Sequence, residues 1–140
     1  MKMEEIEERI IAGDYSIVPL SYNSFEIYNL NGEKEILTEH RFLALFIIAE
    51  YQYRGEIPKY GRHIITRWFY DLALKDNLFE FFGSYPIRFR SFKFAVWWLI
   101  TRKYAEFQKG KSIRLTAKGR AIALKISEWR DKYNESGRYG

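Results

Sequence analysis

The chain has 140 residues, of which 47% are hydrophobic and 29% charged, and its formal net charge is +5. This length allows one domain with a substantial buried core, and the composition is typical of folded globular proteins rather than disordered ones. Because cysteine is absent, disulfides, thiolate zinc sites and cysteine nucleophiles are excluded. The longest apolar run, Phe42–Ala49, is far shorter than the roughly 18 residues of a membrane span, and no segment resembles a secretion signal. We therefore expect a soluble cytoplasmic protein with no membrane partner.

Charge is distributed unevenly along the chain. Residues 1–50 contain four basic and ten acidic side chains, a net charge of −6, whereas residues 51–140 contain nineteen basic and eight acidic ones, a net charge of +11. Between Ile87 and Arg120, ten cations face a single carboxylate, Glu106, so that this segment carries a formal charge of +9. Such a pattern is typical of proteins that bind a polyanion, although solvated helix faces can also produce it.

The first 37 residues predict a helix and a β-hairpin region that extend the main domain. In Met3–Ala12, apolar residues recur at helical spacing, early glutamates suit the positive end of the helix dipole, and Gly13 ends the helix. Asn31-Gly32 predicts a two-residue hairpin turn, because both residue types tolerate positive φ. The strands predicted in this region are Ser16–Leu20, Phe25–Leu30 and Glu33–Leu37.

The middle of the chain predicts two helices around an apolar centre. Thr38 can cap a helix that runs to about Arg54, and apolar residues on nearly every face indicate that this helix is buried. A second helix is predicted for Tyr60–Leu74. Its inner side would carry Ile64, Ile65, Trp68, Phe69 and Leu72. The short apolar segment Leu78–Phe82 fits either a helical turn or a strand.

The last third of the chain predicts a helix, a hairpin and a final helix. Ser91 can cap a helix that runs from Phe92 to about Arg102. A glycine turn, Lys109-Gly110-Lys111, is expected between two strands, Lys103–Gln108 and Ser112–Leu115. The final helix is predicted from Ala117 to about Tyr133, and residues 134–140 are expected to form a flexible tail. One face of this helix would be buried through Ile122, Ile126, Trp129 and Tyr133.

The segment Leu115–Ala121 reads Leu-Thr-Ala-Lys-Gly-Arg-Ala and follows the predicted helix and hairpin. It resembles the end of the wing and the start of the next helix in winged helix-turn-helix proteins, most closely the small regulators of the MarR and PadR type. In that family the leucine packs inward, the threonine caps the next helix, and the glycine allows a close backbone approach. Two features depart from the pattern. Arg102-Lys103-Tyr104 stands where a glycine is usual, and the connection over residues 75–90 is long.

The resemblance covers about residues 38–133 and implies the architecture and partners of the whole chain. We expect an α+β, mainly α fold: a winged helix-turn-helix domain with an added N-terminal helix and hairpin and a C-terminal helix, forming one compact domain overall. The resemblance implies a transcriptional regulator whose partner is double-stranded DNA, read by a recognition helix (91–102) and a basic wing (103–116). It also implies a homodimer, and apolar residues on both terminal helices favour this.

The candidate DNA-binding residues follow from the facing of the predicted helix. If Phe92, Ala95, Val96 and Leu99 face the core, the opposite side chains face outward and can reach base edges in a major groove. An alternative facing, with Phe94, Trp98 and Thr101 outward, stays open. Cations before the helix suit phosphates near its positive end, and cations on the wing suit the backbone or minor groove. The candidates are Arg88, Arg90, Lys93, Trp97, Thr101, Lys109, Lys111 and Arg114.

Catalysis and cofactors find little support in the sequence. His40 and His63 lack the spacing of metal ligands, and no glycine-rich phosphate loop or nucleophile elbow is present. The acids Asp71, Asp76 and Glu80 are close enough in sequence to pair, but helical carboxylates are usually solvated. We therefore expect a protein that is not an enzyme and has no cofactor.

Two other functions stay open. The winged fold can serve as a protein-interaction adaptor, in which case the aromatic segment Leu78–Tyr85 and the acidic first fifty residues would be its docking surfaces. Alternatively, a face with aromatic and basic residues can bind RNA or single-stranded DNA. The rarity of Gln and Met and the abundance of Ile, Tyr, Lys and Glu are compatible with a heat-adapted source, such as an archaeon or one of its viruses.

Overall fold

The computed structural model describes residues 3–54, 62–108 and 112–137. Within these ranges the chain has the predicted α+β organisation, in which helices predominate. The strands form two antiparallel sheets, one in the order β1-β2-β3 and one of β4 with β5. The elements are α1 (Met3–Ala12), β1 (Tyr15–Ser21), β2 (Ser24–Asn29), β3 (Lys34–Leu37), α2 (Glu39–Arg54), α3 (Arg62–Lys75), α4 (Leu78–Phe81), α5 (Phe89–Thr101), β4 (Ala105–Gln108), β5 (Ser112–Leu115) and α6 (Ala117–Gly137).

The N-terminal sheet shares the core of the rest of the chain. Along β2, Phe25 and Ile27 point inward while their neighbours are only half-buried, as the two-residue period of a strand requires. Phe25 lies opposite Leu37 of β3, and all three side chains join one apolar cluster with residues of α2, α5 and α6. The first 37 residues are therefore packed onto the larger unit rather than standing apart from it.

The turn between β2 and β3 lies where it was predicted but has a different form. The backbone N–H of Asn29 donates to the carbonyl oxygen of Glu33, which leaves three residues in the loop instead of two. Within this loop, Gly32 alone has a positive φ, of 78°, and the Asn29 side-chain oxygen accepts the N–H groups of Asn31 and Glu33. This side-chain bridge makes positive φ at Asn31 unnecessary, so the predicted two-residue turn is wrong.

Helix α2 forms the centre of the core, as its apolar composition predicted. Thr38 caps it, since the Arg41 N–H lies 3.4 Å from the Thr38 hydroxyl oxygen. Eight of its side chains are buried, and the helix packs against α3, α5, α6 and β5. A helix surrounded in this way needs apolar residues on almost every face.

In the helical part, one facing and one boundary differ from the predictions, and one alternative that was left open is decided. Helix α3 buries Ile65, Phe69 and Ala73, but Ile64 is 60% exposed, so its predicted inward position is wrong. The segment predicted as a helical turn or a strand is the short helix α4, which follows Asn77 in a left-handed conformation. Helix α5 begins at Phe89, three residues earlier than predicted, so Ser91 lies inside the helix and does not cap it.

At the end of α5, a lysine occupies the position before the hairpin where the winged-helix pattern usually has a glycine. Lys103 itself adopts the left-handed conformation, with φ of 68°. The N–H of Tyr104 donates to Leu99 O at 2.8 Å and that of Lys103 to Ile100 O at 3.2 Å, which closes the helix end. A lysine here does what a glycine does at other helix ends, at a conformational cost.

The junction of β5 and α6 has the contacts that the Leu-Thr-x-x-Gly segment suggested. Leu115 is buried, and the Thr116 hydroxyl accepts the Gly119 N–H at 3.1 Å while donating to Lys103 O. A Cβ on Gly119 would overlap the carbonyl oxygen of Tyr104, so only glycine fits. The hairpin and α6 are thus held together at a backbone-to-backbone contact.

The two terminal helices pack against each other and leave apolar residues exposed. Helix α6 extends to Gly137, which places its last turn in the segment predicted as a flexible tail. Its predicted stripe is buried at Ile122 and Ile126, but Tyr133 is half-exposed. On α1, the exposed apolar residues are Met3, Ile6 and Ile10. Among the described helices, none is both long and apolar enough to span a membrane.

Candidate nucleic-acid interface

The outward face of α5 combines cations with aromatic rings. The predicted core residues Phe92, Ala95, Val96 and Leu99 are buried, so the opposite side of the helix faces solvent. The first of the two facings considered is the one observed, since Trp97 lies on this face while Trp98 turns toward Arg41 of α2; Phe94, named only in the alternative facing, lies on this face as well. The face is formed by Arg90, Lys93, Phe94, Trp97 and Thr101.

The cations of this face lie against its rings. The ammonium of Lys93 is 5.2 Å from the centre of the Trp97 ring, and the guanidinium of Arg90 is 5.5 Å from that of Phe94. Phe94 and Trp97 meet edge to face at 5.7 Å, and Phe94 is 49% exposed. The rings therefore orient the cations and offer apolar surface beside them.

These cations are not neutralised within the fold. In the described part of the chain, no carboxylate lies within ion-pair distance of Arg88, Arg90 or Lys93. Arg88 is exposed at the N-cap of α5. Arg90 was predicted to precede the helix, but it lies in the first turn. The positive end of the helix dipole and three side-chain charges thus coincide at one end of the face.

One flank of the face is a groove against the start of α2. The groove has a volume of about 350 Å³. The Arg41 guanidinium lies 4.0 Å from the centre of the Trp98 ring, and Trp98 stacks on Tyr104 at 5.3 Å. Arg41 also donates from Nη1 to Ile36 O at 2.7 Å. The residues that line the groove are Thr38, His40, Arg41, Ser91, Phe94, Ala95 and Trp98.

The opposite flank of α5 also carries an arginine that stacks on an aromatic ring, but a carboxylate neutralises this arginine. The guanidinium of Arg67, from α3, lies 4.8 Å from the centre of the Phe89 ring. Its Nε donates to Asp71 Oδ1 at 3.0 Å. The two flanks of α5 are therefore alike in stacking and different in net charge.

Three other cations of the basic run form ion pairs with acidic residues of the N-terminal region. Lys118 Nζ lies 2.8 Å from Glu35 Oε1, and Arg102 approaches the same carboxylate at 3.8 Å. Arg120 Nε lies 2.9 Å from Glu8 Oε1, although without hydrogen-bond orientation. Part of the charge counted in the sequence is thus compensated inside the fold.

Glu35 also fixes Tyr104, the ring on which Trp98 stacks. The Tyr104 hydroxyl donates to Glu35 Oε1 at 2.8 Å, and Lys118 Nζ lies 4.2 Å from the Tyr104 ring centre. Burial and the Glu35 carboxylate raise the pKa of the Tyr104 phenol. Burial, followed by the charge of Arg102, lowers the pKa of Arg41. One stack of side chains therefore joins the N-terminal sheet, α5 and α6.

The hairpin is less completely described than the helix. Arg114 is exposed on β5, directly opposite Glu106 of β4, whereas its neighbours Ile113 and Leu115 are buried. The predicted wing-tip cations Lys109 and Lys111 lie outside the described residues. Of the predicted site residues, the structure groups Arg90, Lys93, Trp97 and Thr101 on one face, with Arg88 at its start and Arg114 on a separate element.

Two residues of this surface were missed by the charge pattern. Phe94 was considered only in the alternative facing, and Arg41 was counted with the acidic first fifty residues. On a helical wheel Phe94 lies only about 40° from Arg90 and about 60° from Trp97, so the same face includes all three residues. No local signal in the sequence indicates that Arg41 meets Trp98, because the contact joins residues that are distant along the chain.

Acidic and histidine residues form no cluster of metal-ligand type within the described ranges. Asp76 accepts from the Tyr51 hydroxyl at 2.7 Å and from Arg54 at 3.3 Å, and Asp71 is paired with Arg67. No group of three or more His, Asp or Glu side chains there has the arrangement of a metal site. Asp71 and Asp76, two of the three carboxylates considered for acid–base work, therefore have identifiable structural partners.

Comparison with known proteins adds no relative to this description. No protein-family model matches the chain, and neither a curated protein nor a solved structure matches it. The binding chemistry of the α5 face is accordingly inferred from its own composition: a helix surface with uncompensated cations, the half-exposed ring of Phe94 and the partly buried ring of Trp97.

Proposed function

We propose that the protein binds double-stranded DNA through the outward face of α5 and acts as a transcriptional regulator. The observation that carries this proposal is the exposed face on which Arg90 and Lys93 have no carboxylate partner among the described residues. A 13-residue helix fits a major groove, where its outward side chains reach base edges. Cations at the margin of such a helix bind phosphates and fix its register on the duplex.

The residues of the face divide naturally between these two tasks. Arg88, Arg90 and Lys93 lie toward the start of α5 and would contact phosphates, which gives salt-sensitive and partly nonspecific affinity. Trp97 and Thr101, nearer the helix end, would contact bases. Arg114, with Lys109 and Lys111, would contact the backbone from the hairpin.

The order of elements is compatible with a winged helix-turn-helix domain. Helices α2 and α3 precede α5, and the β4–β5 hairpin follows directly. In this interpretation α5 is the recognition helix, the hairpin is the wing, and α4 is an addition in the long connection. The inward Leu115, the capping Thr116 and the close approach at Gly119 support it, because these are the roles that the resemblance implies.

A competition experiment tests the proposal. Fluorescence anisotropy would compare a labelled duplex of mixed sequence with single-stranded DNA and RNA, each at two salt concentrations. The double variant Arg90→Gln/Lys93→Gln should reduce the slope of log affinity against log salt by about 1.8, at roughly 0.9 for each phosphate contact. Lys132→Gln, an exposed cation of α6, is the matched control and should change nothing. Absence of duplex binding at low salt would reject the proposal and favour a protein-interaction adaptor.

Single-stranded nucleic acid is the second candidate, and one observation favours it. Phe94 and Trp97 present ring surface next to cations, and stacking of bases on aromatic rings is worth about 1–3 kcal/mol per base. Preference for single strands, lost in Phe94→Ala but kept in Phe81→Ala, would support this candidate. Phe81 is a suitable control, because it is exposed on α4 rather than α5.

A homodimer is the proposed assembly. Its support is the exposed apolar stripe of α1, whose side chains Met3 and Ile10 are 79% and 67% exposed although the helix packs on α6. Such a stripe is typical of a surface that pairs with another protein, and two-fold pairing is the commonest form. Light scattering of the wild type and of Ile10→Glu would test it: a dimer that becomes a monomer supports the assembly.

A further inference from the structure

We infer that Arg41 contacts a backbone phosphate of the same bound duplex, held in the groove between the start of α2 and α5. The inference rests on the proposed function and extends the interface to a residue outside the basic run. It assigns a partner to a groove that the charge pattern of the sequence does not indicate.

The groove opens onto the DNA-facing side of α5. Phe94 belongs both to the outward face and to the wall of the groove, so the two surfaces are continuous. Along with Arg41, the polar side chains of Thr38, His40 and Ser91 line the space. A volume of about 350 Å³ is ample for a phosphate group with its water molecules. A duplex whose major groove receives α5 would bring backbone phosphates alongside the helix, within reach of the flank where this groove opens.

Arg41 is held in a fixed orientation before any ligand binds. Its guanidinium carbon lies 4.0 Å from the centre of the Trp98 ring, and Nη1 donates a hydrogen bond to Ile36 O. Trp98 is itself fixed by stacking on the buried Tyr104. A planar guanidinium presents several donors in fixed directions, so less conformational entropy is lost when it binds a phosphate.

The charge of Arg41 is compensated only in part, by the more distant carboxylate of Glu35. Among the described residues, no carboxylate lies within ion-pair distance of it, and the neighbouring Glu39 instead accepts the Ser84 hydroxyl at 2.6 Å. Burial and the nearby charge of Arg102 both disfavour the charged form, as the lowered pKa of Arg41 indicates. A phosphate in the groove would offset both effects and complete the hydrogen bonding of the guanidinium.

Arg67 shows the arrangement that a purely structural arginine takes at the opposite flank. It also stacks on a ring of α5, Phe89, but Asp71 neutralises it at 3.0 Å. If stacking were the whole role of Arg41, a similar carboxylate would be expected beside it. The contrast therefore separates the packing role, common to both arginines, from phosphate binding, assigned to Arg41 alone.

The experiment compares Arg41→Gln, Arg41→Lys and Arg67→Gln in binding to the same mixed-sequence duplex across a range of salt. Arg41→Gln should raise Kd roughly fivefold to thirtyfold and reduce the salt slope by about 0.9, the loss of one phosphate contact. Arg41→Lys should keep the wild-type slope, and Arg67→Gln should keep both slope and affinity. Unchanged binding by Arg41→Gln, with the slope still reduced in Arg90→Gln/Lys93→Gln, would overturn the inference and leave the proposed function standing. A wild type that binds no duplex would overturn both.

A measurement on the wild type avoids any folding defect in these variants. Phenylglyoxal modifies accessible arginines, and mass spectrometry locates the modified residues. Addition of the duplex should protect Arg41 and leave the rate at Arg67 unchanged. Equal rates at Arg41 with and without the duplex, under conditions where Arg90 is protected, would contradict the phosphate contact.

Discussion

The cations in the last third of the chain form two groups that have different partners. At the start of α5, Arg90 and Lys93 lie on aromatic rings at an exposed face and have no carboxylate nearby in the described residues. At the junction of β5 and α6, Lys118 and Arg120 meet Glu35 and Glu8 of the N-terminal region. A formal charge of +9 in the sequence therefore overstates the charge that a polyanion would meet.

This difference assigns separate roles to the two regions. The junction cations, together with Tyr104 and Gly119, join the N-terminal sheet to the hairpin and α6. Substitutions there should affect the free energy of unfolding and leave the proposed duplex binding unchanged in the folded protein. Substitutions on the α5 face should do the reverse, because its side chains make few contacts that folding requires.

Gly119→Ala is expected to have the largest effect on stability. The added Cβ overlaps the Tyr104 carbonyl oxygen and would lie 2.9 Å from its carbonyl carbon, so backbone segments must separate. We expect a loss of about 3 kcal/mol in the free energy of unfolding, at the upper end of what overpacking costs. Urea denaturation followed by circular dichroism would measure it. Gly13→Ala is the control, since its new Cβ meets only Ile10 O at 3.3 Å, and an equal loss in both would contradict the close approach.

Glu35→Gln should have the next largest effect. Its carboxylate accepts from Tyr104 and Lys118 at 2.8 Å each, and its side chain is 23% exposed. Hydrogen bonds to charged groups are worth about 1.5–3 kcal/mol, and partial exposure reduces this, so we expect a loss of about 2 kcal/mol. Glu33→Gln, an exposed neighbour, should change little.

The same Glu35→Gln variant tests the division of roles. If the junction cations serve only the fold, its salt slope in duplex binding should equal that of the wild type. A steeper slope would mean that Lys118 or Arg102, once released, contacts phosphates, and the two groups of cations would then not be separate.

Alkaline pH should weaken the junction through Tyr104. The pKa of its phenol is raised by burial and by Glu35 from the ordinary value of 10.0. Above pH 10 the unfolded chain therefore loses a proton that the folded protein keeps, and stability falls as pH rises, by up to about 1.4 kcal/mol per pH unit. Below pH 10 this contribution is fully present.

Thermal unfolding between pH 9 and 11 would show the effect. Tyr104→Phe removes the titrating group, so its stability should fall less steeply with pH than that of the wild type. Tyr85→Phe, at a site that is 88% exposed, should keep the wild-type steepness. Equal steepness in all three proteins would contradict the protonated, Glu35-bound phenol.

The sequence predicted the elements well wherever a local pattern determines them. The bounds of α1, the cap and end of α2, and the strand β5 were all foreseen, because helical spacing, a threonine cap and strand alternation act within a few residues. The inward residues of α5 were also right. Its start was not, because Ser91 is a good cap by type but Arg88, with no side-chain cap bond, occupies the position instead.

The candidate site was only partly predictable for a different reason. Arg90, Lys93 and Trp97 could be named because they are near one another in the sequence. Arg41 could not, since its contact with Trp98 joins two residues that are more than fifty positions apart in the sequence. The pairing of Lys118 with Glu35 has the same origin, and composition alone cannot distinguish a compensated cation from a free one.

Lys103→Gly is expected to have the smallest effect and to stabilise the protein. Lys103 is exposed and has φ of 68°, a conformation that costs a residue with a Cβ about 1–2 kcal/mol. Glycine removes this cost but loses more backbone entropy on folding, so a net gain of about 0.5–1 kcal/mol remains. Chemical denaturation would measure the gain, with Lys103→Ala as the matched control that removes the charge and keeps the Cβ. Equal stability of the two variants would contradict the expected backbone strain at Lys103.

The same pair of variants tests whether the end of α5 affects duplex binding. If the glycine variant binds duplex with a shallower salt slope and the alanine variant does not, backbone rigidity at the start of the hairpin contributes to binding. The junction of β5 and α6 and the α5 face would then be coupled.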